Sequence, residues 1–148
     1  MIGDRVPASG DWGRLVLRLV LGLIFAVHGA QKVFVFGLDG TAGFMAKVGV
    51  PLPAVAAIVV MAVELMGGLA LILGFGTRVV GALIAIEMAV AILLVSVHRG
   101  FIGGYEFELM LLAAAVSLAC LGGGALSLDR VFWPREDEPD GQGSAVAS

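Results

Sequence analysis

The sequence predicts an all-α fold, a transmembrane four-helix bundle, and three observations predict it. Only 14% of the 148 residues are charged and 59% are hydrophobic, whereas about 25% of residues are charged in a soluble domain. The mean hydropathy is +1.03. Four apolar stretches approach the ~20 residues that a membrane-spanning helix needs. So few charges cannot cover a water-exposed surface, and we expect a lipid bilayer to surround most of the chain.

Four predicted spans are separated by turn signals. Pro51 and Pro53 precede the second span, and proline suits the first turn of a helix. Gly74 and Gly76 end this span, and Thr77 can cap the third. The turn between them is so short that these two helices are expected to be antiparallel neighbours. The predicted spans cover about 14–36, 53–74, 78–98 and 105–122.

The chain divides into three predicted parts. Residues 1–13 form a cytoplasmic N-terminal segment, and residues 14–130 form the four-helix transmembrane domain. The acidic, Gly/Ser-rich tail 131–148 has the composition of a disordered cytoplasmic segment. The longest loop, 37–52, contains a candidate amphipathic segment at 43–50. The first apolar run is longer than the core of a signal peptide, so we expect it to remain as a span.

Lysine and arginine counts predict the orientation of the bundle. The side that holds both termini has six such residues and the opposite side has three. Cytoplasmic loops carry the excess of positive charge, so both termini are expected in the cytoplasm. The six are Arg5, Arg14, Arg18, Arg78, Arg130 and Arg135, and the three are Lys32, Lys47 and Arg99.

A short internal repeat suggests two helical hairpins in tandem. The tripeptide Glu64-Leu65-Met66 of the second span recurs as Glu108-Leu109-Met110 in the fourth. Each copy precedes an apolar run that ends in glycines. Three identical residues can also coincide by chance in so apolar a chain, and both interpretations stay open.

Ionisable residues inside the spans are the main candidates for function, because each costs several kcal/mol unless it is paired or faces water. The first span has one polar stripe, since six of its side chains fall within an arc of about 80° at 100° per residue. These are Arg14, Arg18, Leu21, Phe25, His28 and Lys32, of which Arg18, Phe25, His28 and Lys32 are candidate site residues. Arg18 could equally extend to lipid phosphates at the membrane surface.

Each of the other spans contributes a glutamate. Glu64 and Glu87 lie near the middle of the second and third spans, and Glu108 starts an inward-facing stripe on the fourth. Glu106 points to nearly the opposite side, towards the headgroups, because two residues on a helix are about 200° apart. His98 and Arg99 are expected in a loop.

Depth along the helices predicts which of these charges meet. We expect Lys32 to pair with Glu108, and His28 with Glu64, in a polar pocket in the outer half of the bundle. Phe25, Met61 and Met88 are expected to wall this pocket. The alternative is an ion-pair network that only orients the helices, but the cost of charge in a membrane favours function.

Several classes of chemistry are disfavoured by what the sequence lacks. It has no basic cluster, so nucleic acid is not an expected partner. The single cysteine, Cys120, excludes an intramolecular disulfide and a CxxC redox pair. No metal motif is present. His28 and His98 could in principle hold a haem, but neither lies in a haem motif, and we expect neither haem nor metal.

The order of several motifs resembles the DoxX family of small four-span membrane proteins over residues 14–130. Glu87 and His98 are not part of the family pattern, and their roles depend on spacing alone. The motifs are Arg18, Gly22, His28-Gly29 and Lys32 in the first span, Glu64-Leu65-Met66-Gly67-Gly68-Leu69-Ala70-Leu71-Ile72-Leu73-Gly74 followed by Thr77-Arg78, then Glu108, and finally Gly122-Gly123-Gly124-Ala125-Leu126-Ser127-Leu128-Asp129.

The resemblance implies a multi-pass protein of the bacterial cytoplasmic membrane. DoxX-like proteins are related to the membrane subunit of thiosulfate:quinone oxidoreductase. Other members are associated with membrane redox complexes and with tolerance to quinones or oxidative stress. Some relatives exchange electrons with quinone through a dithiol pair. This chain has one cysteine and cannot use that chemistry alone.

Three hypotheses for function follow. In the first, the chain is the membrane subunit of an oxidoreductase complex and its pocket binds a quinone. His28 or Lys32 then donates to a quinone oxygen, Glu64 accepts a proton, and a soluble or membrane redox partner supplies the electrons. The second is a small carrier of protons or anions. The third is a non-catalytic anchor or assembly subunit. A homo-oligomer is compatible with all three.

Overall fold

The computed structural model describes residues 9–133, and all regular structure within that range is helical. The predictions for residues 1–8 and 134–148 lie outside the described residues. The first helix continues past Gln31 as a π-helical turn, Lys32–Phe36. The helices are α1 Ser9–Gln31, α2 Gly37–Lys47, α3 Pro53–Leu73, α4 Thr77–Arg99, α5 Glu106–Leu121 and α6 Leu128–Phe132.

The predicted fold class is confirmed. Within residues 9–133, four helical segments are long and apolar enough to cross a membrane. Large apolar side chains such as Phe34, Val79 and Met110 point outwards, as lipid-facing residues must. We call the end of the bundle where α1 begins the terminal end, and the opposite end, where α3 begins, the distal end.

The closest helix packing pairs α1 with α3 and α4 with α5, as two tandem hairpins require. Glycines permit the first contact. A Cβ on Gly29 would meet the backbone of Leu65, and a Cβ on Gly68 would meet the backbone of Ala26 and lie 2.7 Å from the carbonyl oxygen of Gly22. Small residues at such crossings let helix backbones approach each other in membranes.

Gly68→Ala is therefore expected to lower the free energy of unfolding by about 1–3 kcal/mol, because the added methyl group meets backbone that must move. Heat unfolding of the purified protein in detergent, followed by circular dichroism, measures the effect. Gly13→Ala is the control, because nothing lies within 4 Å of that Cβ and alanine favours a helix. Equal changes in both variants would contradict the close α1–α3 contact.

Arg18 closes the terminal end of the bundle. Its side chain is only 1% exposed and donates to four backbone carbonyls on two separate segments. The acceptors are the carbonyl oxygens of Leu71 at 3.0 Å, Ile72 at 3.3 Å, Gly123 at 2.6 Å and Leu126 at 3.0 Å. Arg18 thus joins the end of α3 to the chain that follows α5, and it does not extend to the membrane surface.

Asp129 caps α4. Its carboxylate accepts from the backbone N–H groups of Gly76 at 2.5 Å and Thr77 at 2.9 Å, which have no helical acceptor of their own. The expectation that Thr77 caps this helix is wrong. The Thr77 hydroxyl is buried and makes no hydrogen bond with the described residues, because the carboxylate from α6 occupies the capping position.

The region expected as a loop at the distal end is mostly helix. The chain turns at Gly37, which has φ of 67°, and α2 begins at once and packs against α3. Residues 43–47 of the expected segment 43–50 are therefore the second half of a longer helix, which ends at Lys47. His98 and Arg99, also expected in a loop, belong to the final 3-10 turn of α4.

Candidate functional site

A cavity of about 680 Å³ lies in the distal half of the bundle, between α1, α2, α3, α4 and α5. Most of its lining is apolar. Of the seven candidate residues named from the sequence, six line this one cavity and Arg18 does not. The six are Phe25, His28, Lys32, Glu64, Glu87 and Glu108.

Three π-helical turns in the described residues position polar side chains at the cavity. Lys32 opens the turn Lys32–Phe36, Glu64 lies in Val63–Gly67, and Ser96 ends Ile92–Ser96. A π turn inserts one extra residue into a helix and so redirects the side chains that follow it. Such turns occur frequently at functional sites.

A buried ion pair connects the two helices of the first hairpin, α1 and α3. Lys32 Nζ lies 2.6 Å from Glu64 Oε2, and the two side chains are 20% and 7% exposed. The expected pairs Lys32–Glu108 and His28–Glu64 are therefore wrong. The close contact at Gly29 sets α1 against α3 just before Lys32, whereas depths counted from ideal helices ignore this crossing and the π turns.

Glu87 adds a second carboxyl group to this pair. It lies close to both Glu64 and Lys32, and its Oε2 is buried without a hydrogen-bond partner among the described residues. One ammonium group cannot balance two neighbouring carboxylates in a medium of low dielectric. A proton shared by the two carboxyl groups would neutralise the cluster, so this arrangement can hold and release a proton. We call Lys32, Glu64 and Glu87 the charge triad.

A separate polar group lies nearer the distal end. Ser96 Oγ donates to Glu108 Oε1 at 2.7 Å, while Glu108 Oε2 is buried and has no partner among the described residues. Glu106 is exposed and accepts from the Gly103 N–H at 2.9 Å, in agreement with the helical spacing. Ser96 is fully buried and was not identified from the sequence. The one feature of the sequence that could have pointed to Ser96 is that a single serine interrupts an apolar run.

The floor and one side of the cavity come from α1 and α4. Phe25 and Met88 are 2% and 7% exposed and line the cavity, whereas Met61 does not. Met61 was expected there, but it precedes the π turn of α3, and that turn brings Glu64 to the cavity instead. The His28 imidazole lines the cavity and makes no hydrogen bond with the described residues, so it is available to a ligand.

Buried apolar side chains separate this cavity from the terminal end. Leu21, Leu71, Ile84 and Leu118 are at most 2% exposed and belong to one packed core. Arg18 lies beyond this core. The cavity is therefore closed on the terminal side.

Comparison with known proteins identifies relatives in several bacteria. Residues 13–99 match the DoxX family. The chain is 40% identical over 121 residues to "Putative oxidoreductase CatD" of Bacillus subtilis, which covers 82% of this chain and 87% of that protein. It is 31% identical over 132 residues to "Inner membrane protein YphA" of Escherichia coli, covering 78% and 87%. An uncharacterized membrane protein of Mycobacterium tuberculosis is 32% identical over 136 residues, with 83% of each chain covered. No solved structure matches the chain.

Proposed function

The chain belongs to the DoxX family of membrane proteins, and we propose that it is the quinone-binding membrane subunit of an oxidoreductase complex. The observation that carries the proposal is the apolar cavity of about 680 Å³ with the charge triad at one end. Sites for small organic ligands have volumes of roughly 300–1,000 Å³ and are apolar with a few polar groups that fix orientation. A quinone has this distribution of apolar ring and polar oxygen atoms.

The side chains of the cavity match the parts of a quinone. Phe25 and Met88 offer an aromatic face and a polarizable thioether to the ring. Lys32 Nζ can donate to a ring oxygen, and His28 is a second donor within the same cavity. These are the roles that the first of the three hypotheses from the sequence gives to the residues of the first span.

The charge triad supplies the proton chemistry. Oxidation of a hydroquinone to a quinone releases two protons and two electrons. One proton can pass from a ring hydroxyl to the pair Glu64 and Glu87, and the second can pass from the other ring hydroxyl to Glu108, the remaining glutamate that lines the cavity. The electrons pass to a redox partner protein, and the reverse reaction takes them from it.

Two comparisons support this assignment. The name of the Bacillus subtilis relative describes an oxidoreductase, and the name of the Escherichia coli relative places it in the inner membrane. We propose the bacterial cytoplasmic membrane as the location, with both termini in the cytoplasm as the lysine and arginine counts indicate. The closed apolar core below the cavity favours binding over a channel, because an open path for protons or anions would have to cross it.

Quinone binding is the direct test. The protein, purified in mild detergent, is expected to retain quinone that organic extraction and chromatography detect, and to bind decylubiquinone saturably in nanodiscs at about one molecule per chain. Phe25→Ala should weaken binding about tenfold, because the ring loses its aromatic contact. Phe34→Ala is the matched control, since Phe34 is 78% exposed. Absence of both retained quinone and saturable binding would overturn the proposal.

A further inference from the structure

The cavity has two polar ends. The charge triad forms one end, and Ser96 with Glu108 forms the other. Glu87 and Ser96 both lie on α4, nine residues apart, which corresponds to about 13 Å along the helix. In a regular helix these residues would point to opposite sides. The extra residue of the π turn Ile92–Ser96 reduces the difference to about 80°, so both face the cavity.

The end formed by Ser96 and Glu108 has an acceptor without a bonded donor, although Arg99 also lines the cavity. A carboxylate only accepts hydrogen bonds, and the Ser96 hydroxyl is already used on Glu108 Oε1. Glu108 Oε2 is removed from bulk water and no described donor reaches it. Burying such an oxygen without a hydrogen bond costs free energy, which a ligand that brings its own donor would recover.

The oxidised and reduced forms of a quinone differ in the hydrogen bond that they can make with Glu108 Oε2. A hydroquinone carries a hydroxyl group at each end of the ring and can donate to Glu108 Oε2. The oxidised dione has only acceptor oxygens, so its carbonyl would face the carboxylate without a proton between them. The charge triad does not discriminate in this way, because Lys32 can donate to a carbonyl and Glu87 Oε2 can accept from a hydroxyl.

We propose that Ser96 and Glu108 bind a ring hydroxyl, so that the cavity takes an aromatic diol lengthwise between its two ends and prefers the diol to the dione. A 1,4-diol with a hydrogen bond at each oxygen spans about 11 Å, comparable with the axial separation of Glu87 and Ser96 along α4. The proposal rests on the function proposed above and adds the redox form of the ligand, which makes the reduced diol the form that the resting cavity binds.

Anaerobic titration of the full-length protein in nanodiscs tests this preference. The probes are 1,4-dihydroxynaphthalene and 1,4-naphthoquinone. They have the same carbon skeleton and nearly the same size, but the first carries two hydroxyl groups where the second carries two carbonyl groups. We expect the wild-type protein to bind the diol about tenfold more tightly, the effect of one charge-assisted hydrogen bond. In Glu108→Gln the amide both donates and accepts, and the ratio of the two dissociation constants should fall towards one.

Three further variants complete the experiment. Ser96→Ala removes the hydroxyl that positions Glu108 and should also lower the ratio. Lys32→Met should weaken the binding of both probes by the same factor, because the charge triad binds either redox form. Glu106→Gln is the matched control, since Glu106 is exposed and lies outside the cavity lining, and it should keep the wild-type ratio.

The outcomes separate this inference from the proposed function. Equal binding of the two probes by the wild-type protein would overturn the inference and leave the proposed function intact. A diol preference that persists in both Glu108→Gln and Ser96→Ala would also overturn it. Binding of neither probe would remove both proposals together. The wild-type ratio decides the question even where a variant does not fold.

Discussion

Arg18→Leu is expected to lower the free energy of unfolding by about 4 kcal/mol or more, the largest effect predicted for a single substitution in this chain. Each buried acceptor left without its donor costs about 1–3 kcal/mol, and Arg18 serves four carbonyl oxygens. The Leu71 carbonyl keeps a second donor, the Gly74 N–H. The other three carbonyls lie where helices end or the chain is irregular, so no helical N–H replaces the guanidinium there. Asp129, which lies near enough to attract Arg18, would also lose its opposing charge.

Heat unfolding and the yield of monodisperse protein from size-exclusion chromatography measure this loss. Arg14→Leu is the matched control on the same helix, because Arg14 is 32% exposed and pairs with Asp11 one helical turn away. It should change stability by less than about 1 kcal/mol. Arg18→Lys should fall between the two, since lysine keeps the charge but not the fork of donors. A similar loss in both leucine variants would show that the carbonyl contacts of Arg18 contribute little.

Lys32→Met is expected to lower the free energy of unfolding by about 3–5 kcal/mol, because it leaves Glu64 buried without its counter-charge. The effect is large because the Glu64 side chain is only 7% exposed and Glu87 lies beside it. The same variant should weaken saturable quinone binding, because a ring oxygen loses its ammonium donor. Lys47→Met, at the exposed end of α2, is the control for replacing a lysine by methionine.

The double variant Lys32→Met with Glu64→Gln separates stability from function. Replacing both members of a buried ion pair by neutral groups of similar size is often neutral or stabilising. We therefore expect the double variant to recover most of the wild-type melting temperature but not quinone binding. Recovery of both would mean that the pair only orients α1 against α3, and loss of both would mean that the neutral pair does not pack.

Much of the fold was predictable because lipid imposes a simple requirement on sequence. Length and hydropathy alone indicated four spans, and Gly74 with Gly76 correctly marked the turn between α3 and α4. The helix α2 was missed because its moderately apolar residues follow Gly37, a residue that usually ends a helix. Nothing in the local pattern shows that the chain turns there and starts again at once.

The candidate site was predictable as a set of residues but not as a set of contacts. Charge inside an apolar span is a strong signal, and it identified Lys32 and Glu64. Their partnership was missed because it depends on where α1 and α3 cross, which is fixed by the contact between Gly29 and the backbone of Leu65. Ser96 was missed because a serine carries no charge and is common at packed helix contacts in membranes.

The capping of α4 by Asp129 could not be predicted from the sequence for a different reason. It caps α4 from 52 residues away in the sequence, and no local pattern links the two segments. Arg18 is similar, because its acceptors are backbone carbonyls and any residue supplies one. Long-range contacts to the backbone leave no trace in residue types, so they emerge only from the assembled bundle.

The bonds of Arg18 also set the order in which the protein can be completed during synthesis. Its partners Gly123 and Leu126 are 105 and 108 residues later in the chain, so a ribosome must deliver nearly the whole polypeptide before the guanidinium finds all its acceptors. A chain that stops before Gly123 keeps a partly unsatisfied cation within the bilayer, at a cost that lipid cannot offset. The first helix therefore completes its hydrogen bonds only after the segment that follows α5 has joined the bundle.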